Sequence, residues 1–289
     1  MITHPFTYQA PSTLEEAVEE LGRSGDSKVI AGGHSLLPLM KLGLAQPDAL
    51  IDLRRIASLR VIRTEGEGTI VIGALTTHRD IAHDPIVRAK LPALAEAAGA
   101  VGDLQVRARG TIGGSIAHAD PAADEPAPAL AYDATIRAVG PKGRRDIRAS
   151  DYFKGTFETA LADDEIIAEV RFPAPAGRSG SAYEKFAHPA SGFAIAGVAA
   201  LVTLKAEGGI ERAAIGVTGA AAAAYRATAA EKALAGTNGD AKAIAAAAAK
   251  AADGIAALSD LAASSDYRKH LVTVFAKRAI LRAVTRAKA

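Results

Sequence analysis

Three features of the sequence point to an α+β chain in three parts. An apolar strand, a glycine turn, a helix and a second apolar strand follow one another in the first fifty-odd residues. Alternating apolar and polar residues on either side of glycine turns then mark antiparallel hairpins in the middle. A long hairpin followed by three helix-like segments fills the remainder. The divisions fall at 1–55, 56–175 and 176–289.

In "STLEEAVEELG", Ser12 is placed to cap a helix, Glu15 stands three positions later to complete a capping box, and Gly22 reads as the stop. "KVIAGG" is a short buried strand running into glycines, and "SLLPLMKLG" a helix opened by Ser35. Pro38 falls in its first turn, where a missing N–H does no harm. With the strand "ALIDL" (Ala49–Leu53) these form a βαβ unit, hence a small parallel sheet. "LRVIRTEGEGTIVIGAL" reads as a hairpin turned around Gly66 and Gly68, and "IVRAKLPALAEAAGAV" as one helix ending at Gly102. "TIRAVGPKGRRDIRAS" is a second hairpin turned at Pro141–Gly143, and "DEIIAEVRFP" a strand stopped by Pro173. "PAPAGRSGS" (Pro173–Ser181) has the composition of a linker. Beyond it a hairpin runs from Ala194 to Gly219, turned at "EGG". "RATAAEKALAG", "DAKAIAAAAAKAADGI" and "SDYRKHLVTVFAKRAILRAVTRAKA" follow as helices; the alanine tract suits a helix lying close on a sheet.

Composition excludes several functions. The 289 residues are 49% hydrophobic and 23% charged, a globular profile. Thirty-four basic and thirty-two acidic residues leave a net charge of +2, and no basic run exceeds Lys142–Arg145, so a nucleic-acid surface is not expected. Zero cysteines rule out disulfides, thiolate zinc sites, cysteine-ligated iron–sulfur clusters and a cysteine nucleophile within this chain. The start lacks a signal-peptide pattern, and the longest apolar run, Gly192–Leu204, is too short to span a bilayer; a cytoplasmic protein is the expectation.

Two glycine loops carry the chemistry. In "AGGHSLLPLM", Gly32 and Gly33 leave main-chain N–H groups unhindered and Ser35 can cap the next helix, so an anion site can form without lysine or arginine. "GTIGGS" (Gly110–Ser115) repeats the pattern with the Thr111 and Ser115 hydroxyls. Two such concavities could grip a pyrophosphate, which favours a dinucleotide. Either loop alone reads equally as a tight turn, and neither a G-x-G-x-x-G spacing nor a phosphate-loop lysine motif is present. His78, His83 and His118 read as surface or loop histidines, not metal ligands, and Asp120 before Pro121 as a turn residue.

The stretches "AGGHSLLPLMKLGLAQPDALIDLRRI" and "VRARGTIGGSIAHADPAADEPAPALAYDA" closely resemble the medium, FAD-binding subunit of the carbon monoxide dehydrogenase/xanthine dehydrogenase family of molybdenum hydroxylases. The resemblance continues through "EIIAEVRFP", "YEKFAHPASGFAIAGVAA" and the helical tail. It implies an FAD-binding fold of the vanillyl-alcohol oxidase (PCMH) type in two subdomains, plus a C-terminal antiparallel sheet with helices. Carried over by position, Ala31, Gly32, Gly33, His34, Ser35 and Leu36, with Thr111, Ile112, Gly113, Gly114 and Ser115, would surround the FAD diphosphate. Asp124 would bond the adenosine ribose, Ile167 touch the flavin, and Lys185 reach the isoalloxazine edge, where a cation stabilises added electrons. His34 matches the covalent anchor of berberine-bridge-type oxidases, but the closer resemblance implies non-covalent FAD. Phe193 matches an aromatic near the flavin face; Arg107 and Arg109 are left open between steadying the second loop and facing a partner.

The resemblance implies an FAD-dependent oxidoreductase subunit with no catalytic side chain and no metal of its own. It would pass electrons from [2Fe-2S] clusters of a small subunit to an external acceptor. A large molybdopterin subunit would oxidise the substrate, in a dimer of heterotrimers, with any membrane association peripheral and through the complex. The absence of cysteine agrees, since this chain cannot hold the clusters. A self-sufficient FAD-dependent oxidase or reductase and a flavin-free scaffold are the alternatives. Carbon monoxide is the first substrate suggested; aldehydes, nicotine derivatives and other N-heterocycles share the motif, and quinone, NAD or another acceptor stays open.

Overall fold

The computed structural model describes residues 2–23 and 25–289. Its first part contains β1 (Thr7–Gln9), α1 (Leu14–Arg23), β2 (Ser27–Ile30), α2 (Leu36–Lys41) and β3 (Ala49–Asp52), with the strands all parallel in the order β1-β3-β2. The βαβ unit is as expected. β1 is additional: its exposed Thr-Tyr-Gln carries no apolar signature, and it is fastened by Tyr8, whose hydroxyl donates to Asp52 at 2.5 Å. α1 buries Leu14, Ala17, Val18 and Leu21, one helical stripe. Its capping box lies one residue later than Ser12–Glu15. Thr13 Oγ1 accepts from the Glu16 N–H at 3.2 Å, and Glu16 Oε2 accepts from the Ser12 N–H at 2.8 Å. Gly22 continues the helix and does not end it.

The middle part holds β4 (Ile62–Glu65), β5 (Thr69–Gly73), α3 (His78–His83), α4 (Pro85–Lys90), α5 (Pro92–Ala100), α6 (Leu104–Arg109), α7 (Ile112–His118) and α8 (Pro126–Ala131). After these come β6 (Thr135–Gly140), β7 (Gly143–Arg148), α9 (Ala149–Tyr152), β8 (Phe153–Gly155), β9 (Glu158–Thr159) and β10 (Ile166–Phe172). β10 lies between the two predicted hairpins and joins them into one antiparallel sheet, β4-β5-β10-β6-β7. The single helix expected to end at Gly102 is two. Pro92 lacks an N–H and forces Leu91 out of helical geometry, to φ −129° and ψ 53°.

The last part consists of β11 (Arg178–Ala187), β12 (Ala194–Leu204), β13 (Ile210–Thr218), β14 (Tyr225–Arg226), α10 (Thr228–Leu234), α11 (Ala241–Ala248) and α12 (Ser265–Lys288). The strands form one antiparallel sheet in sequence order. Its two faces serve two cores. Ala196, Val198, Ala200 and Val202 of β12 pack under α10–α12, whereas Ala199 and Leu201 join the core of the middle part. Alternation along one strand thereby welds the two parts together. The linker reading is too long: β11 begins at Arg178, and Gly180 and Ser181 are buried strand residues. Gly180 is there because α12 lies directly on it. A Cβ at that position would meet Ala283 O and Ala287 N of the helix backbone, with Arg286 Cβ at 2.8 Å. No helix among the described residues is long and apolar enough to cross a membrane.

Because backbone cannot give way as a side chain can, Gly180→Ala is expected to cost about 1–3 kcal/mol. Gly22→Ala, with open space around the added methyl, should leave stability unchanged or raise it by up to about 1 kcal/mol. Urea denaturation of both variants checks the contrast; equal stabilities would be inconsistent with this packing.

Candidate functional site

A cavity of about 560 Å³ opens where the three parts meet, within the usual size of small-molecule and cofactor sites. The end of β2, the segment around α7, β10 and the loop carrying Ser191 and Phe193 all contribute to its walls.

The first glycine loop forms one wall, with Ala31, Gly32, Gly33, His34, Ser35 and Leu36 all facing the cavity. Gly33 takes φ +77°, a conformation that a side chain disfavours. The N–H groups of Gly32, Gly33, His34, Ser35 and Leu36 donate to no acceptor among the described residues. Five successive N–H groups without a protein acceptor can serve as a receptor for an anion. Ser35 precedes α2 as expected, but its side chain makes no capping hydrogen bond.

The second loop works differently. It is the first turn of α7, and its donors are already used. Ile112 N–H donates to Thr76 O at 3.1 Å, Gly113 N–H to Ala74 O at 2.9 Å, and Gly114 N–H to Thr111 Oγ1 at 3.1 Å. A second main-chain nest is therefore absent there. Thr111, Gly113, Gly114 and Ser115 still line the cavity, but Ile112 is wholly buried in the core. A Cβ on Gly113 would lie 2.5 Å from Ala74 Cβ, so this glycine serves close approach. The same holds for Gly32, whose Cβ would meet Arg109 O and stand 2.9 Å from Gly110 Cα. The two loops touch main chain to main chain.

Asp124 also lines the cavity and is 3% exposed. Tyr183 donates to its Oδ1 at 2.6 Å, and the Lys185 ammonium lies 2.9 Å from the carboxylate while also donating to Ala100 O at 2.8 Å. Lys185 is not a wall residue; it stands behind Asp124 with its charge engaged. Burial pushes the Asp124 carboxyl above the usual range, against the pull of Lys185 and Tyr183. Ile167 forms part of the wall at a β-bulge of β10.

His78, read from sequence as a surface or loop residue, is 5% exposed and lines the cavity. Its Nδ1 lies 2.8 Å from Glu125 Oε1, and Glu125 is wholly buried. Burial lowers the affinity of this imidazole for its proton, but the Glu125 charge and hydrogen bond outweigh it, and the net direction is upward. The partner is 47 residues away, so no local pattern signals the pair. His118 packs against Phe157 with ring centroids 4.9 Å apart and planes tilted by 35°, both residues lining the cavity, and burial pushes its imidazole down. His83 is an exposed residue bonded to Arg79 O. Asp120 receives the Ala122 N–H at 2.8 Å in a turn, as read. Arg107 donates to Val101 O and Gly102 O at 2.8 and 3.0 Å, which steadies the loop before α6.

A family model described as FAD binding domain in molybdopterin dehydrogenase matches residues 4–175, and one described as CO dehydrogenase flavoprotein C-terminal domain matches residues 181–283. The chain is 50% identical over 203 residues to the carbon monoxide dehydrogenase medium chain of Hydrogenophaga pseudoflava, covering 70% of each. It is 39% identical over 215 residues to the 6-hydroxypseudooxynicotine dehydrogenase complex subunit alpha of Paenarthrobacter nicotinovorans, covering 74% of this chain and 72% of that one. Its structure superposes with a TM-score of 0.95 on a chain of H. pseudoflava carbon monoxide dehydrogenase lacking the Mo-pyranopterin moiety of its cofactor. That match has 45% identity and covers 99% of both chains.

Removing the cation that faces Asp124 leaves a buried carboxylate uncompensated. Lys185→Met is expected to destabilise the chain by about 3–5 kcal/mol. Adding Asp124→Asn should restore much of the loss, as measured by urea denaturation of the two single variants and the double. Strict additivity of the single effects would show that the two groups are not coupled.

Proposed function

Because the chain belongs to the medium, FAD-binding subunits of the carbon monoxide dehydrogenase/xanthine dehydrogenase family of molybdenum hydroxylases, we propose that it holds FAD non-covalently in the three-sided cavity and serves electron transfer within a larger oxidoreductase. The observation that carries this reading is the row of five unsatisfied N–H groups, Gly32 to Leu36, along one wall of that cavity. Such a row fits a diphosphate, which would replace the water that otherwise meets these half-buried and exposed groups.

Loop 31–36 would hold the diphosphate by main chain, and the Thr111 and Ser115 hydroxyls would donate from the opposite side. Asp124 would accept from a ribose hydroxyl. Its carboxylate is already fixed by Tyr183 and Lys185, so little ordering is left for the moment of binding. Lys185 would act through Asp124. Ile167 would supply apolar contact, and Ile112 only the packing that sets α7 in place. His34 is exposed, consistent with a non-covalent site. When bound, the isoalloxazine supplies the redox chemistry, and the side chains here need only bind, orient and exclude water. The parts 1–55, 56–175 and 176–289 are in this reading three lobes around one cofactor.

The electrons would come from [2Fe-2S] clusters of a small subunit, after oxidation of substrate on a large molybdopterin subunit, in a dimer of heterotrimers. The lack of cysteine in this chain supports that division of labour. Carbon monoxide is the favoured substrate of the complex on the strength of the 50% identical relative. The relative named for 6-hydroxypseudooxynicotine shows that this scaffold accompanies other substrates as well.

Gly33→Val forces a β-branched residue into φ +77°, and Gly113→Val drives α7 away from Ala74. Each should abolish flavin retention while the C-terminal sheet and helices stay folded, read as flavin absorbance per chain after gel filtration. Stoichiometric FAD in both variants would refute the site. Bleaching of the flavin by substrate with this chain alone would favour a self-sufficient oxidase.

A further inference from the structure

The adjacent carboxylates Asp124 and Glu125 are both buried, at 3% and 0% exposure. Lys185 neutralises the first, and for the second the cation at hand is His78. A buried carboxylate is stabilised by a cation, and the 2.8 Å contact between Nδ1 and Glu125 Oε1 suits an imidazolium at His78. The residue is held by its ring and by its main chain. Its Nδ1 is fixed by Glu125, and the His78 main-chain N–H donates to Gly110 O at 3.1 Å.

With Nδ1–H given to Glu125, the second proton of the imidazolium sits on Nε2. That atom has no hydrogen-bond partner among the described residues, although the ring lines the cavity. The atom packs against Gly110: a Cβ there would stand 2.6 Å from Nε2. Gly110 in turn abuts Gly32 across the contact between the two loops. His78 thus stands where the two loops meet, with Gly110 between it and the loop that carries the free main-chain donors.

We propose that His78 is a binding residue for the dinucleotide diphosphate, donating from Nε2 as an imidazolium held by Glu125. The inference rests on the FAD reading above and adds to it a buried cation that the glycine loops lack. The charged groups facing the ring are Glu125 and Asp124, which favour its proton, and Arg107 of α6, which opposes it. Glu96 of α5 is turned instead to Arg282 and Arg286, and Arg79, Asp80 and His83 of α3 are exposed. His78 is therefore cationic below a pKa raised above the ordinary imidazole value of 6.5. Its attraction for diphosphate is present at low pH and lost as pH rises through that pKa.

The test is FAD binding by the full-length chain, followed by fluorescence quenching between pH 6 and 9.5, with riboflavin as a probe lacking the diphosphate. Wild-type affinity for FAD should fall as pH rises. His78→Gln should weaken FAD binding by roughly tenfold on the acid side of the wild-type profile and less on the alkaline side, leaving riboflavin binding unchanged. Glu125→Gln should move the midpoint of the FAD profile downward. Should these variants fold poorly, NMR titration of the wild-type imidazoles gives an independent reading: the His78 pKa should rise when FAD binds. An unchanged FAD profile in a folded His78→Gln chain, or a His78 pKa indifferent to FAD, overturns the inference and leaves the FAD site standing. Failure of the wild-type chain to bind FAD at any pH overturns both.

Discussion

Everything in this molecule that concerns the cavity depends on one contact, the main chain of Gly32 against the main chain of Arg109 and Gly110. Two loops from different parts of the chain can approach so closely only where no side chain intervenes. The donors of the first loop have no acceptors within the protein. The second loop, by contrast, spends its donors on Thr76, Ala74 and Thr111. One loop is a receptor and the other its abutment. A substitution at the abutment would disturb binding without touching a ligand, because its damage travels as a shift of backbone.

The electrostatics follow a similar economy. Adjacent carboxylates at Asp124 and Glu125 diverge to opposite sides, each meeting one cation from a distant segment. Lys185 belongs to β11 and His78 to α3, so the dipeptide ties the last sheet to the middle helices. Exposed pairs elsewhere, such as Arg23 with Glu19, add little, because water screens them. The buried pairs are different in kind: breaking one leaves a charge with nowhere to go. Charge balance at the site and registration of the middle and last parts are thus one constraint.

Much of this was legible in the residues, and the failures have identifiable causes. Alternation around Gly66 and Gly68 and around Pro141–Gly143 located both hairpins, because period-two patterning reports directly on a half-buried strand. The capping box slipped by one residue because Ser12 and Thr13, and likewise Glu15 and Glu16, are chemically equivalent neighbours. The linker reading is too long because glycine and serine at 180 and 181 resemble flexible chain, whereas Gly180 is small to admit α12 and the Ser181 hydroxyl bonds Tyr132 and the Ala93 N–H. The second nest was inferred from glycines alone, and sequence does not reveal which N–H groups find carbonyls such as Thr76 O or Ala74 O. The resemblance implies that Lys185 reaches the isoalloxazine edge; the structure shows its ammonium 2.9 Å from Asp124, a partner 61 residues away that no local pattern signals. His78 offered no signal at all, since burial and a distant glutamate define it.

The two cations of the acidic dipeptide arrive at different times as the chain is made. His78 precedes Glu125 by 47 residues, whereas Lys185 follows Asp124 by 61. On the ribosome, then, one carboxylate meets its counter-ion as it emerges, and the other stays solvated until the last sheet begins to appear. Tyr183 and Lys185, the two side chains that meet Asp124, both lie in β11, so a chain ending at residue 175 would present this carboxylate without either partner.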